Sequence, residues 1–245
     1  MELNFLGRGG AFNTKEGNNA AYFVENNELF LIDCGETVFE RLNNGFLSGL
    51  DSINVMITHT HSDHVGSLGS LAMYSYFILH KPIKIILPNN AKHLDNIDSI
   101  LFAFGCTEEM FDYVYEKELD NKYSTFNNVR YAETVHCPEL DSYSLLFDTN
   151  DGVVYYSGDT KDTRVLKSLL ESGKVIDKIY VDTTTLNYPA NVHLYIGFLN
   201  ELIPDELRNR VYCMHINNDD CIAQAKNYGF NVVEAGHPYV KKIKD

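Results

Sequence analysis

The segment Asn54-Val-Met-Ile-Thr-His-Thr-His-Ser-Asp-His-Val-Gly constrains this chain more than any other, because it places three imidazoles and a carboxylate within six residues, directly after an apolar run. An extended chain sends residues i, i+2 and i+4 to one side. With residues 53–57 read as a strand, His59, His61 and Asp63 can face one pocket, and His64 joins them as the chain turns into a helix. Neutral imidazole and carboxylate oxygen suit Zn, Mn or Fe, and the absence of a cysteine from the run leaves that choice open. A polar loop of solvated histidines is the competing reading, and the density of ligating groups argues against it.

The rest of the pattern frames that cluster. Short apolar runs rich in β-branched or aromatic residues predict strands at 22–24, 29–32, 53–57, 83–87, 144–147, 153–156 and 179–181. Helical spacing predicts helices over 65–79, 163–170 and 192–203, and a turn is expected at Asn26-Asn27. Early strands joined by turns and later ones alternating with helices give a mixed α/β chain, taken as a single domain over 1–245, without internal repeats or linkers. No apolar run approaches the roughly 20 residues that span a bilayer. The first 13 residues lack the basic and apolar regions of a secretory signal, so a cytoplasmic location is expected.

Charge narrows the partners. A formal net charge of −14 opposes a grip on long nucleic acid, which needs clustered Lys and Arg, and favours a small substrate. It leaves a phosphate ester at a metal site open, because salt screens exposed charges more than about 8 Å away. The five cysteines are scattered, odd in number and form no C-x-x-C pair, which predicts free thiols.

His59, His61, Asp63 and His64 match in full the H-x-H-x-D-H signature of the metallo-β-lactamase superfamily, which the chain resembles. The resemblance implies an αββα sandwich holding two divalent metal ions, Zn first and Mn as the second choice. One ion would take His59, His61 and His136 of Thr134-Val-His-Cys. The other would take Asp63, His64 and His215 of Cys213-Met-His-Ile, with Asp159 of Ser157-Gly-Asp-Thr bridging both. His237 competes with His215; His80 and His93 lie in no motif and are expected on the surface.

True β-lactamases of this fold usually carry Arg where His64 stands and a Cys in the second site, so antibiotic hydrolysis is not expected. The opening Leu3-Asn-Phe-Leu-Gly-Arg-Gly-Gly-Ala, with Leu31-Ile-Asp-Cys-Gly-Glu and Ser142-Tyr-Ser, is similar to the tRNase Z branch and its phosphodiesterase relatives. His193 stands 22 residues before His215, where that branch carries a histidine that assists proton transfer, and Asp182 either orients it or simply ends a strand. The tRNA-processing members insert a long arm between the third ligand and the bridging aspartate. Only 23 positions separate His136 from Asp159 here. Compact, armless relatives include the anti-Pycsar enzymes that open cyclic nucleotides, the leading comparison.

The implied reaction is hydrolysis of a small phosphodiester, most of all a cyclic nucleotide such as cyclic CMP or UMP, with Asp63 and Asp159 positioning the attacking water and His193 assisting proton transfer. Alternatives are a glyoxalase-like thioester or lactone hydrolase, a tRNA 3′-processing endonuclease and a metal-binding protein without catalysis. Residues 101–123 hold Phe102, Phe104, Phe111, Tyr113, Tyr115 and Tyr123, which serve either to stack on a base or as core or contact surface of a homodimer.

Overall fold

A computed structural model of the chain describes residues 1–42, 45–89 and 94–238. His93 lies outside the described residues; His80 is exposed at the end of a helix. The strands are β1 (Asn4–Gly7), β2 (Ala20–Glu25), β3 (Glu28–Ile32), β4 (Ser52–Met56), β5 (Ile83–Leu87), β6 (Phe111–Tyr115), β7 (Asn128–Thr134), β8 (Ser142–Thr149), β9 (Gly152–Tyr156), β10 (Ile176–Asp182), β11 (Val211–Met214) and β12 (Asn231–Val232). The helices are α1 (Val38–Leu42), α2 (Ser62–Val65), α3 (Leu68–Leu79), α4 (Leu94–Ala103), α5 (Arg164–Glu171), α6 (Ile196–Leu202) and α7 (Asp219–Asn227).

Two six-stranded sheets form, in the orders β1-β2-β3-β4-β5-β6 and β12-β11-β10-β9-β8-β7. Each begins with two antiparallel pairings, β1–β2–β3 and β7–β8–β9, and continues in parallel through β6 or β12. The pairing scheme is thus stated twice, although no repeat is visible in the sequence. The first hairpin turns at Asn26-Asn27, both at positive φ (49° and 62°), the conformation in which a two-residue loop matches the strand twist.

Central strands are buried on both faces, which is why they read as unbroken apolar runs. In β3, Leu29 and Leu31 pack towards α1 and α3, while Phe30 and Ile32 meet the opposite sheet. In β9, Val154 and Tyr156 meet that interface, whereas Val153 and Tyr155 pack under α5 and α6. One apolar layer therefore lies between the sheets and one outside each, giving a single-domain αββα sandwich.

Two sequence expectations change. The helix expected over 65–79 is broken at Gly66-Ser67 into α2 and α3, because the loop after β3 docks there: Cys34 N donates to His64 O (2.7 Å) and Ser67 N to Cys34 O (3.0 Å). A Cβ on Gly66 would stand 2.5 Å from Glu36 Cγ, so the docking needs glycine. The helix expected over 192–203 starts only at Ile196, because Thr184 bonds the preceding residues as a bridge (Thr184 N to Leu194 O, Ile196 N to Thr184 O, both 2.9 Å). Of the two roles open to residues 101–123, the core one holds for two rings: the segment is a helix end, the edge strand β6 and two short 3₁₀ turns, in which Phe111 is 5% exposed in the helix-side core and Tyr113 bonds Asp98. Those two rings are engaged in the fold, not open to a base.

Candidate metal centre and active site

The candidate ligands gather at one end of both sheets. Parallel strands β4, β9, β10 and β11 finish there, and β7 does too, since it runs antiparallel to β8 as β8 does to β9. His59 and His61 follow β4, His136 follows β7, Asp159 follows β9, Asp182 ends β10 and His215 follows β11. Crevices beyond the carboxyl ends of parallel strands are where α/β sheets hold ligands, because side chains from different strands converge there. Gly158, at φ 59°, lets the β9 end pass under β8: a Cβ would lie 2.5 Å from Tyr143 O. His215 itself adopts φ 57°, a conformation that a non-glycine residue holds only when its surroundings fix it.

Two ligand groups share one carboxylate. In the first, His61 Nδ1 stands 3.0 Å from His59 Nε2 and 3.1 Å from His136 Nε2. In the second, Asp63 Oδ2 is 3.4 Å from His64 Nε2 and 3.3 Å from His215 Nε2. Asp159 Oδ2 lies 3.3 and 3.2 Å from those same two nitrogens, and 3.9 Å from His59 Nε2 and from His136 Nε2. Donors held tetrahedrally at about 2.0–2.1 Å from one ion stand about 3.3 Å apart, so these spacings are those of ligand edges.

Tautomers point the same way. His136 Nδ1 donates to Val192 O (2.9 Å), and His64 Nδ1 donates to Asp33 Oδ2 (2.8 Å). Each outward bond leaves the Nε2 lone pair aimed into the cluster, the arrangement that orients histidine ligands. His64 Nε2 and Asp159 Oδ1 are buried without a hydrogen-bond partner, which is costly unless a cation meets them. The residues that could hold ions are therefore His59, His61 and His136, and Asp63, His64, Asp159 and His215, with a further set, Asp159, Asp182, His193 and His215, overlapping the second.

Electrostatics separates the two groups. Burial pushes His59 well below the usual imidazole range, with the neighbouring His64 adding to it, and burial also lowers His61 and His136. Burial opposes charge on His64 and His215 as well, yet Asp159 and its fellow carboxylates outweigh it: His64 is held well above its ordinary value and His215 is pushed up to about 10. Asp63, Asp159 and Asp182 stay below the ordinary carboxylate range despite burial, chiefly through His64, His215 and His193 respectively. Among the described residues, every ion pair made by Asp33, Asp63, Asp159 and Asp182 is to an imidazole. Four buried carboxylates without Lys or Arg match the charge of two divalent cations, and each would otherwise carry a desolvation cost on the order of several kcal/mol.

His193 and Asp182 form a second layer of chemistry. His193 Nδ1 is 2.8 Å from Asp182 Oδ2 and 3.8 Å from Asp159 Oδ2. Burial disfavours its charge, but Asp182 overcomes that and raises the imidazole above its usual range. Asp182 Oδ1 also stands 3.4 Å from His215 Nδ1, an ion-pair approach in which neither atom has a hydrogen-bond partner. His237 is exposed and bonds Arg41 O, away from the cluster.

Sequence reading passed over Asp33. It is fully buried at φ 65°, and besides His64 it accepts from Thr58 N and Thr58 Oγ1, both at 2.8 Å. Its signal in the sequence is a carboxylate directly after the unbroken apolar run 29–32. Cys137, half-buried, brings its Sγ to 3.7 Å from His61 Nε2.

Comparison with known proteins agrees with this geometry. The metallo-β-lactamase fold protein YhfI from Bacillus subtilis superposes with a TM-score of 0.74 over 97% of each chain at 15% identity, a likeness of fold. An anti-Pycsar protein Apyc1 from Bacillus phage 010DV004 is 32% identical over 238 residues, covering 89% of this chain and 90% of its own. Another, from Paenibacillus harenae, is 26% identical over 98% of this chain and 99% of its own. The model of the Anti-Pycsar protein Apyc1 family matches residues 1–239, and the chain belongs to that family.

Proposed function

We propose that this protein is a binuclear metal-dependent phosphodiesterase that opens a cyclic nucleotide to its linear monophosphate, and so counters a cyclic-nucleotide antiviral defence, as its relatives' name implies. The observation that carries the reading is the Asp182–His193 pair standing beside Asp159, at the point where the two ligand groups meet. His59, His61 and His136 would hold one ion, Zn or else Mn, and Asp63, His64 and His215 the other, with the Asp159 carboxylate available to both. Such ions, when bound, supply Lewis acidity that lowers the pKa of water towards about 7 and offsets charge on phosphoryl oxygens.

The chain's own groups do the rest. Asp63 and Asp159 accept hydrogen bonds from the attacking water and orient it in line with the bond to be broken. As the new P–O bond forms, the proton of the attacking water passes to the Asp63 or Asp159 carboxylate, and as the ring P–O bond breaks His193 Nε2 gives its proton to the departing ribose oxygen. Asp182 fixes the His193 ring through Nδ1 and favours its protonated form. A long RNA does not suit the molecule: β8, β9 and their turns fill the interval from His136 to Asp159, leaving no room for an arm. The rings of Phe77, Phe102 and Phe104 and the side chain of Ile78, exposed on α3 and at the end of α4, support a homodimer. Among the described residues no helix is long and apolar enough to cross a membrane.

Incubation with Zn or Mn and cyclic CMP, UMP, AMP and GMP, beside a thioester and a precursor tRNA, tests the assignment. Linear monophosphates are the expected products. Trimming of the tRNA or turnover of the thioester, with the cyclic nucleotides untouched, would overturn it.

A further inference from the structure

The cyclic-nucleotide reading leaves open where the base sits, and residues 101–123 do not answer it, since Phe111 and Tyr113 are engaged in the fold. A different wall is available. Beside the metal cluster lies a cavity of about 390 Å³ lined by Lys161, Tyr188, Asn191, His193, Tyr195 and Phe198 among others. Its size falls near the lower end of small-molecule sites, about 300–1,000 Å³, which fits one nucleotide and not a folded RNA. It is continuous with the reacting centre through His193, whose Nδ1 is occupied by Asp182.

The chemistry of the wall is selective. Tyr188 and Phe198 are each 52% exposed, and Tyr195 meets Phe198 edge-on with ring centroids 5.4 Å apart. Half-exposed rings converging on one cavity are costly in water and suited to a flat π-face. No carboxylate lines this cavity among the described residues, although the chain carries a net charge of −14; its one Lys, Lys161, places an ammonium there. That charge complements an anionic ligand.

The wall is also built rather than loose. Asn191 Nδ2 donates to Leu186 O (3.0 Å) and to His193 O (2.7 Å), and Asn191 Oδ1 accepts from His193 N (3.2 Å). Asn191 N donates to Tyr188 O (2.9 Å), and the next residue, Val192, orients His136 through its carbonyl. A single stapled loop thus carries the Tyr188 ring, the carbonyl behind a candidate ligand and the candidate proton donor.

We propose that this cavity is the nucleobase subsite: the base of the cyclic nucleotide stacks against Tyr188 and Phe198, with the Lys161 ammonium facing the anionic ligand, so that base binding and the position of His193 are set by one loop. The assignment rests on the cyclic-nucleotide reading of the site.

The test uses metal-replete full-length protein, steady-state kinetics on the four cyclic nucleotides, and calorimetry with a hydrolysis-resistant cyclic phosphorothioate. Tyr188→Ala and Phe198→Ala should each raise KM and the phosphorothioate Kd by about five- to hundredfold, with kcat changed far less. Tyr188→Phe, which keeps the ring, should restore both values to near wild type, separating stacking from damage to the loop. The loss should be confined to ligands with a base and be absent for a methyl riboside cyclic phosphate. Tyr115→Ala, on the edge strand β6, should leave KM in place. Wild-type turnover with unchanged KM and Kd in both alanine variants, or a rise in KM only for Tyr115→Ala, would overturn the subsite and leave the phosphodiesterase reading standing. Phosphorothioate binding that depends on Tyr188 and Phe198, without turnover of any cyclic nucleotide, would support the subsite and overturn the reaction instead.

Discussion

The two ligand groups differ in composition, three histidines against two histidines and two aspartates, and in what stands behind them. His136 is backed by a neutral carbonyl, Val192 O, and His61 by the Cys137 thiol, whereas His64 is backed by the Asp33 carboxylate and His215 by Asp182. The first group consequently holds imidazoles that burial keeps neutral; the second holds imidazoles drawn towards protonation by surrounding carboxylates. A carboxylate behind a ligand makes the imidazole a stronger base and adds negative charge close to the ion. The second group is therefore the more electrostatically demanding, and its ion should be the more sensitive to changes in buried charge. Asp159, a member of the second group, also comes within 3.9 Å of His59 and His136 in the first.

The largest effect should come from removing what they share. Asp159→Ala should lower metal content from about two ions per chain to one or fewer and bring cyclic-nucleotide turnover down to background, read by elemental analysis beside kinetics. Retention of both ions would dissolve the bridging assignment.

Removing the proposed proton donor should come next, with the metal content left unchanged. His193→Ala should slow hydrolysis of a ribose ester by about 10²–10⁴-fold, and of a nitrophenyl phosphodiester far less, because that leaving oxygen needs little protonation. Equal losses on both substrates, with metal content intact, would reduce His193 to an electrostatic role.

Asp33→Asn addresses the contrast itself, since it keeps an acceptor behind His64 and removes the charge. One ion should bind about 10–100-fold more weakly while the other is little changed, seen as two separated phases in a chelator titration. Weakening of both ions by the same factor would mean that the groups act as one unit.

The smallest effect tests whether a buried carboxylate away from the cluster behaves differently. Burial tends to raise Glu25, but hydrogen bonds from Ser124 and Thr125 outweigh it and hold the group below its ordinary 4.5. A depressed carboxylate contributes stability above its unfolded pKa and loses it as pH falls through its folded pKa. Glu25→Gln should cost about 1–3 kcal/mol at neutral pH, and the gap to wild type should close below pH 4.5, measured by urea unfolding across pH with the metals kept constant. A gap independent of pH would assign the loss to packing rather than charge.

Much of this was legible before any coordinates. His59, His61, Asp63 and His64 are contiguous, so one strand end and one turn suffice to bring them together, and local geometry can be read from local sequence. The apolar runs at 29–32, 53–57 and 153–156 announced strands because their residues pack on both faces. The break at Gly66-Ser67 was not legible, since its cause is a loop more than 30 residues away in the chain that docks through backbone groups and through Ser67 Oγ, which donates to Gly35 O and accepts from Phe39 N.

The sequence by itself determined the chemistry available: a dense histidine and carboxylate run, further histidines and aspartates in order along the chain, and a formal net charge of −14. Only the tertiary structure decided which of these meet. Asp33, Asp182 and Val192 stand behind their histidines because separate strands end at the same edge of the sandwich, and the pairing scheme repeated in the two sheets, not any repeat of residues, sets that edge. Hydrogen bonds between distant backbones and the convergence of strand ends depend on three-dimensional closure, which a linear pattern of side chains does not encode in any one place.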